Sequence, residues 1–383
     1  AEEPTTMRAF CYDRFGGPEV GYVGSVPKPG PPAKGEVLVK VHAASLNPVD
    51  YKQREGGLRI ILGYGWPQIF GFDFSGVIVE LGEGSGENDT GGFVVGDEVF
   101  GMVKGLRKGT VAEFCIVTAD VCVKKPKNIS HSEAASVPLV ATTVVSSFAQ
   151  SFFTDTDTPG PTATGPRVLI LRGSGGIGTM AIQLSKQMYG ASFVATTASE
   201  SKTEELQKLG ADKVVDYKTK DFVKELASDD DSQLFDFIID GTGEANRCIS
   251  LLRPRGKLVS LLASPSGDAL QRWIAADPQP PQRHARTRMG VASFINSSLG
   301  EWLIDLTTGA GALKRKCKAK DGFYTHVIAS GDSGTLCNVA ALMAIGRVKA
   351  CVQEVFPLSK AAEAMAVLEA NHASGKIVIA MQD

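Results

Sequence analysis

Three glycines placed after a short apolar run carry the clearest chemical signal in the chain. Leu169-Ile-Leu-Arg-Gly173-Ser174-Gly175-Gly176-Ile177-Gly178 fits the spacing G-x-G-x-x-G through Gly173, Gly175 and Gly178. Val168–Leu171 before it reads as a strand and Thr179–Tyr189 after it as a helix, the setting in which this spacing holds a dinucleotide. Gly173 permits a tight turn, Gly175 lets the backbone approach a pyrophosphate, and Gly178 lets helix and strand pack closely. The start of the helix then turns N–H groups and a partial positive charge toward phosphates. Ser174, Gly176 and Ile177 complete the cradle.

The residues downstream bear on which dinucleotide is held. An NAD site carries a carboxylate about 20 positions on, where it bonds the ribose 2′-hydroxyl. Nineteen positions after Gly178 stands Thr197, at the end of Phe193-Val-Ala-Thr-Thr197. With no negative side chain to repel a 2′-phosphate, and with Ser199 and Lys202 following at once, the pattern favours NADPH.

Elements that would position these residues follow from the spacing of apolar side chains. From Met7 to about Thr118 the chain reads as short strands between turns: Glu36–His42 alternates with period two, and Phe74–Glu80 and Glu113–Val117 behave alike. Ser130-x-x-Glu133 is a capping box that starts a helix. Beyond the turn-rich Pro159–Pro166, strands alternate with helices, which calls for a parallel sheet. Its strands are expected at Val168–Leu171, Phe193–Thr197, Val214–Asp216, Phe237–Asp240 and Leu258–Leu262, with a helix over Lys202–Leu209. A helix over 331–346, another over 360–371 and a strand in 375–380 end the chain. The stretch 271–320 resists this reading; its basic run Lys314–Lys320 is a solvated loop or helix end, or else a patch for an anionic partner.

Composition sets the outer limits. The 383 residues, 43% apolar and 21% charged, suit a chain of two or three globular domains. Forty basic residues against 42 acidic ones give a charge of −2, not the footprint of a nucleic-acid binder. No apolar run reaches the ~18 residues of a membrane span. Seven scattered cysteines without a C-x-x-C pair read as free thiols in a reducing compartment. No Ser/His/Asp or His/Glu constellation is visible around His42, His131, His284, His326 or His372. No targeting segment is visible after Ala1; a mitochondrion or chloroplast, following removal of a transit peptide, or else the cytoplasm, is the expected compartment.

Several further motifs occur in a recognisable order. They are Ala44-Ser-Leu-Asn-Pro-Val-Asp-Tyr-Lys52, Gly71-Phe-Asp-Phe-Ser-Gly-Val-Ile-Val-Glu-Leu-Gly82, Gly96-Asp-Glu-Val-Phe-Gly101, Leu209-Gly-Ala-Asp212, Asp216-Tyr217, Gly346-Arg-Val-Lys349 and His372-Ala-Ser-Gly-Lys-Ile-Val378. With the glycine turn, they make nearly the whole chain resemble the medium-chain dehydrogenase/reductase superfamily, in its zinc-free quinone oxidoreductase branch. That branch includes the reticulon-4-interacting mitochondrial proteins and the plastid quinone oxidoreductase and alkenal reductase homologues. The resemblance implies an α/β fold: a GroES-like β-barrel catalytic domain over 1–140, completed by 355–383, and a Rossmann NADPH-binding domain over 141–354. It places the cofactor in the cleft between them and implies that Lys202 and Tyr217 contact the 2′-phosphate. Asp240, ending a Rossmann strand, faces the cofactor cleft or serves the fold. A homodimer, usual for the family, or an organellar complex partner is compatible with the pattern.

The same resemblance argues against zinc and points to a reaction. Where zinc relatives carry a cysteine ligand this chain has Asn47, Phe72 replaces their histidine, and their four-cysteine lobe is reduced to Cys115 and Cys122. Zinc needs four N, S or O ligands, so neither site can be assembled from these residues. Hydride transfer without a metal leaves charge on the acceptor oxygen, to be met by hydrogen-bond donors or a cation. In the segment that lines the family's cleft, Asn47 and Lys52 are the candidate donors, Tyr51 is a cleft wall or packing, and Asp50 is a carboxylate that holds the loop. A quinone or an α,β-unsaturated carbonyl would accept the hydride. An accessory subunit keeping the fold is the rival. Enoyl-thioester reduction is weaker, because its tyrosine position holds Leu58, though Tyr51 or Tyr64 could substitute.

Overall fold

Alternating apolar and polar residues early in the chain produce antiparallel strands, and continuous apolar runs later produce parallel ones. The structure, a computed structural model, describes residues 5–56, 65–82, 91–103, 109–152, 165–261, 310–327, 331–370 and 373–382. Leu58, Tyr64, His284, His372 and most of 271–320 lie outside the described residues. The chain divides into two units, one of Ala1–Thr142 with Ser330–Asp383 and one of Thr143–Ala329. The sequence reading drew the returning segment from 355; in the structure it starts 25 residues earlier, at Ser330.

The first unit holds β1 (Thr6–Tyr12), β2 (Gly21–Pro27), β3 (Glu36–Leu46), β4 (Gln68–Ile69), β5 (Asp73–Leu81), β6 (Glu98–Met102), β7 (Phe114–Thr118) and β8 (Cys122–Lys124), joined by β15 (Val352–Pro357) and β16 (Lys376–Ala380). The larger sheet runs β15-β16-β3-β5-β6-β8, with β7 also on β3, and the smaller runs β2-β1-β4. Because β3 pairs with β5, β7 and β16, it is buried along most of its length, and the strand runs to Leu46, past the half-buried Glu36–His42 of the sequence reading. Helices α1 (Pro48–Arg54) and α2 (His131–Ala135) follow β3 and β8, α3 (Pro138–Phe152) leads out of the unit, and α9 (Ser333–Ala344) and α10 (Ala361–Glu369) belong to the return. Ser130 and Glu133 form the expected capping box, Ser130 N–H donating to Glu133 Oε2 at 2.8 Å.

One ion pair ties the two ends of this unit together. Arg54, 1% exposed, donates through Nε to Gly16 O at 3.2 Å and meets both oxygens of Glu369 at 2.5 and 3.2 Å. The bidentate fork gives geometry as well as attraction. Removing one partner of a buried pair strands the other charge. Glu369→Ala is therefore expected to lower stability by about 3 kcal/mol. Calorimetry checks this; a loss under about 1 kcal/mol would mean that water reaches the guanidinium.

In the second unit, β9 (Arg167–Ile170), β10 (Phe193–Ala198), β11 (Lys213–Asp216), β12 (Phe235–Asp240), β13 (Leu252–Ser260) and β14 (Phe323–His326) make one parallel sheet. Its order, β11-β10-β9-β12-β13-β14, is the doubly wound arrangement. Val168, Leu169, Ile170, Ile238 and Leu258 are fully buried, as a sheet covered on both faces demands. The helices are α4 (Gly176–Gln187), α5 (Thr203–Lys208), α6 (Phe222–Leu226), α7 (Ala245–Cys248) and α8 (Ala310–Ala319). The last carries Lys314–Lys318 of the basic run on a partly exposed helix.

Candidate functional site

The glycine turn links β9 to α4, in the middle of the parallel sheet. Gly175 caps the helix with extended backbone (φ −75°, ψ 168°), so α4 begins at Gly176, three residues before the Thr179 start read from the sequence. The three glycines are needed for different reasons. A side chain on Gly173 would strike the Thr196 hydroxyl; one on Gly178 would strike the Arg172 carbonyl and come within 2.7 Å of the Gly173 α-carbon. Gly175 differs, since a Cβ there would meet nothing closer than 3.5 Å. Packing within the protein does not require this glycine. A bare α-carbon at a helix start is what the close approach of a pyrophosphate requires, so the residues present fit a dinucleotide.

Ser174, Gly176 and Ile177 are all partly exposed in the turn. Thr197 holds the turn: its Oγ1 accepts from Arg172 N at 3.0 Å and its carbonyl from Gly173 N at 2.9 Å. It braces the backbone on which the expected cofactor contact would rest. Ala198 pairs with Asp216 across β10 and β11, which brings Ser199 and Tyr217 to adjacent strand ends. Ser199 Oγ lies 3.2 Å from Ser201 Oγ, and Tyr217 is 60% exposed. Lys202 stands on a 3-10 turn preceding α5 rather than inside the predicted helix, and its ammonium meets Glu205 at 2.9 Å. Exposed pairs of this kind are worth ~1 kcal/mol or less, so a phosphate can compete for the lysine. Asp216 is held below the usual carboxylate range by hydrogen bonds from Thr219 and Lys218 within its own turn.

Asp240 divides its oxygens between the fold and something else. Oδ1 accepts from Thr242 N and Oγ1, both at 2.8 Å, and from Gly243 N at 3.0 Å. Oδ2 is buried and has no hydrogen-bond partner among the described residues. A buried acceptor left so costs about 1–3 kcal/mol. A ligand hydroxyl would satisfy it.

In the first unit, the sequence-predicted segment folds around a buried polar cluster. Asn47 caps α1, and Asp50 Oδ2 accepts from Asn47 N at 2.8 Å while its Oδ1 accepts from Gly71 N at 2.9 Å. Asp50 thus holds the loop, as read from the sequence. Asn47 is the correction: it is 1% exposed, its Oδ1 accepts from Lys376 Nζ, and its Nδ2 donates to Asp73 Oδ2 at 2.9 Å. Both ends of its amide are committed inside the protein, so it positions the loop and does not donate to a substrate. Lys52 is exposed and Tyr51 half-buried on α1.

The sequence reading missed Lys376 and Asp73, the charged centre of this cluster. Lys376 also donates to Leu46 O at 3.0 Å and lies 3.6 Å from Asp73 Oδ2, which accepts from Ser45 Oγ at 2.7 Å. The available signal was a lysine opening an otherwise apolar strand, Gly375–Ala380.

Burial pushes the Asp50 carboxyl up to about 6, against the pull of the Asn47 and Gly71 N–H bonds. A carboxyl raised on folding contributes its full stability below the unfolded value of 3.8 and loses it as the pH rises through about 6. Between pH 4 and 7 this group removes about 3 kcal/mol. Unfolding midpoints measured across that range should slope downward more steeply in the wild type than in Asp50→Asn; equal slopes would remove Asp50 as the cause.

Histidine chemistry differs from the reading in one respect. His131 Nδ1 lies 2.8 Å from Ser75 Oγ and its Nε2 lies 3.1 Å from Glu98, a constellation the sequence did not reveal because the three residues sit on β5, β6 and α2. Ser75 is buried and its hydroxyl bonds Val99 O at 3.1 Å, so no substrate reaches it. His42 stacks on His131 at 4.5 Å between ring centroids.

The zinc positions bear the same scrutiny. Asn47 is committed as described, Phe72 is buried and offers no donor, and burial pushes the Cys115 thiol up to about 12. These residues do not fit zinc, which binds thiolate, imidazole or carboxylate. Among the described residues, no three His, Cys, Asp or Glu side chains are grouped to hold a metal ion, and no helix is long and apolar enough to cross a membrane.

Comparison with known proteins places these features in company. A family model described as alcohol dehydrogenase GroES-like domain matches residues 33–127, and one described as zinc-binding dehydrogenase matches 209–379. The mitochondrial NAD(P)H oxidoreductase RTN4IP1 of Homo sapiens is 33% identical over 98% of this chain and 89% of its own. The chloroplastic NADPH-dependent alkenal/one oxidoreductase of Arabidopsis thaliana is 30% identical over 99% and 81%. The quinone oxidoreductase from Coxiella burnetii superposes with a TM-score of 0.76 at 27% identity, covering 98% of this chain and all of that one.

Proposed function

The chain belongs to the medium-chain dehydrogenase/reductase superfamily, in its quinone oxidoreductase branch, and from that premise we propose that it is an NADPH-dependent, zinc-independent reductase of quinones or α,β-unsaturated carbonyls. The observation that carries the reading is Gly175, a glycine that the protein's own packing does not require, at the head of α4.

The coenzyme's reduced nicotinamide would supply the hydride. Ser174, Gly176 and Ile177 hold the pyrophosphate on the first turn of α4, where backbone N–H groups have no partner four residues back. Lys202, Ser199 and Tyr217 take the 2′-phosphate, and the absence of a carboxylate at the end of β10 spares it repulsion. Asp240 Oδ2 accepts from a cofactor hydroxyl. Charge developing on the acceptor oxygen needs preorganised donors. With Asn47 committed to Lys376 and Asp73, the exposed Lys52 supplies a cation from that segment, with Tyr51 beside it on α1. The mitochondrial and chloroplastic names of the relatives support an organelle as the compartment.

The test is NADPH oxidation with 1,4-benzoquinone and with 2-hexenal, in the wild type and in Lys52→Ala. Turnover with either acceptor, faster with NADPH than NADH and slowed in the variant, is expected. Tight NADPH binding without turnover on any acceptor would replace the proposal with an accessory role. Unchanged turnover in Lys52→Ala would remove that lysine from the mechanism.

A further inference from the structure

Arg172 occupies a backbone position that suits glycine. It sits between the end of β9 and Gly173 with φ 65°, in the left-handed region where a side chain crowds its own carbonyl. Two other non-glycine residues among those described share this conformation, Arg255 and Asp321, and they bond each other, Arg255 N donating to Asp321 O at 2.8 Å. Arg172 stands instead at the turn that cradles the coenzyme. Strain held in such a place is a reason to look for function.

Its side chain shows where that function lies. A Cβ built on Gly175 would lie 3.5 Å from Arg172 Nε and 3.6 Å from its Cγ, so the arginine runs back across the turn beside the motif glycine, of the three, that packing does not need. Its backbone N–H is held by Thr197 Oγ1 at 3.0 Å, at the strand end where an NAD site would carry a carboxylate. The base of the side chain therefore lies between the pyrophosphate cradle and the end of β10. Guanidinium is the side chain best matched to phosphate oxygens, which it meets with two parallel N–H bonds.

We propose that Arg172 is a phosphate-binding residue of the dinucleotide site, its guanidinium taking a coenzyme phosphate beside Gly175. The inference rests on the dinucleotide reading above and adds a cation that the glycine spacing does not contain.

The test uses the whole protein and reads affinity and stability together. Dissociation constants for NADPH and NADH are measured by calorimetry, with thermal midpoints taken without coenzyme, for the wild type, Arg172→Gly, Arg172→Lys and Gly175→Val. Arg172→Gly relieves the left-handed strain, so its midpoint should hold or rise by a few degrees, while affinity falls by about tenfold or more. Arg172→Lys, which keeps a charge, should bind between the two. A loss with NADPH alone assigns the 2′-phosphate, and an equal loss with NADH assigns the pyrophosphate. Affinity within twofold of the wild type in Arg172→Gly, while Gly175→Val binds nothing, overturns this inference and leaves the dinucleotide site standing. A midpoint that falls together with affinity, unrelieved by lysine, makes Arg172 structural and also overturns it. A wild type that binds neither coenzyme sinks the site and the inference with it.

Discussion

Lys376→Met is expected to cost about 3–5 kcal/mol, the range for breaking a buried ion pair from one side. The lysine is 6% exposed and its ammonium serves Asn47 Oδ1, Leu46 O and Asp73 in one place. Without it Asp73 keeps hydrogen bonds from Ser45, Asn47 and Leu139 N but loses the charge that offsets its burial. Desolvation already raises the Asp73 carboxyl and lowers the Lys376 ammonium, each opposed by the other's charge. Asp73→Asn combined with Lys376→Met should therefore lose less than the two single losses added together, since the stranded charge is gone. Urea unfolding of all three variants provides the measurement. Strict additivity, or a loss below about 1 kcal/mol for Lys376→Met, would show that the ammonium and carboxylate do not depend on each other.

The second large effect separates two glycines three residues apart. Gly178→Val forces carbons against the Arg172 carbonyl and the Gly173 backbone, which cannot swing aside as a side-chain tip would. Helix α4 must lift off β9, with coenzyme affinity falling on the order of 100-fold and stability by about 3 kcal/mol. Gly175→Ala meets ordinary contact distances and keeps an extended backbone open to any residue, so its thermal midpoint should stay near the wild type. Its affinity should still fall, because the methyl group stands where the pyrophosphate comes close. Calorimetric titration beside thermal unfolding distinguishes the cases. Equal stability losses in both variants would mean that Gly175 is glycine for packing alone.

Local patterns made the parallel half of the fold legible. Each of its first five strands is an apolar run bounded by turns, and the glycine spacing marks where the sheet meets α4. The capping box at Ser130 and the bond from Asn47 N to Asp50 depend on neighbours within a few residues, and both were readable. What distance in sequence hid was the company each polar side chain keeps. Asn47 looks like a donor to substrate until Asp73, 26 residues away, takes its amide N–H, and Lys376, 329 residues away, its oxygen. Ser75, Glu98 and His131 share no motif and meet only because β5 pairs with β6 and α2 packs against both. Thr197 fills the position of a ribose-binding carboxylate, and its hydroxyl also accepts from the backbone of the turn.

The larger sheet of the first unit joins strands that are far apart in the chain. β16 lies between β15 and β3, so Ala43–Leu46 of β3, beyond the stretch that β7 pairs, lacks its partner until residue 380 has left the ribosome. The unit formed by residues 143–329 is contiguous and suffers no such delay. During synthesis at ~5–20 residues per second, those four residues of β3 wait many seconds for the strand that covers them. Pairing order along β3 is thus set by distance in the chain, β5 and β7 first and β16 last.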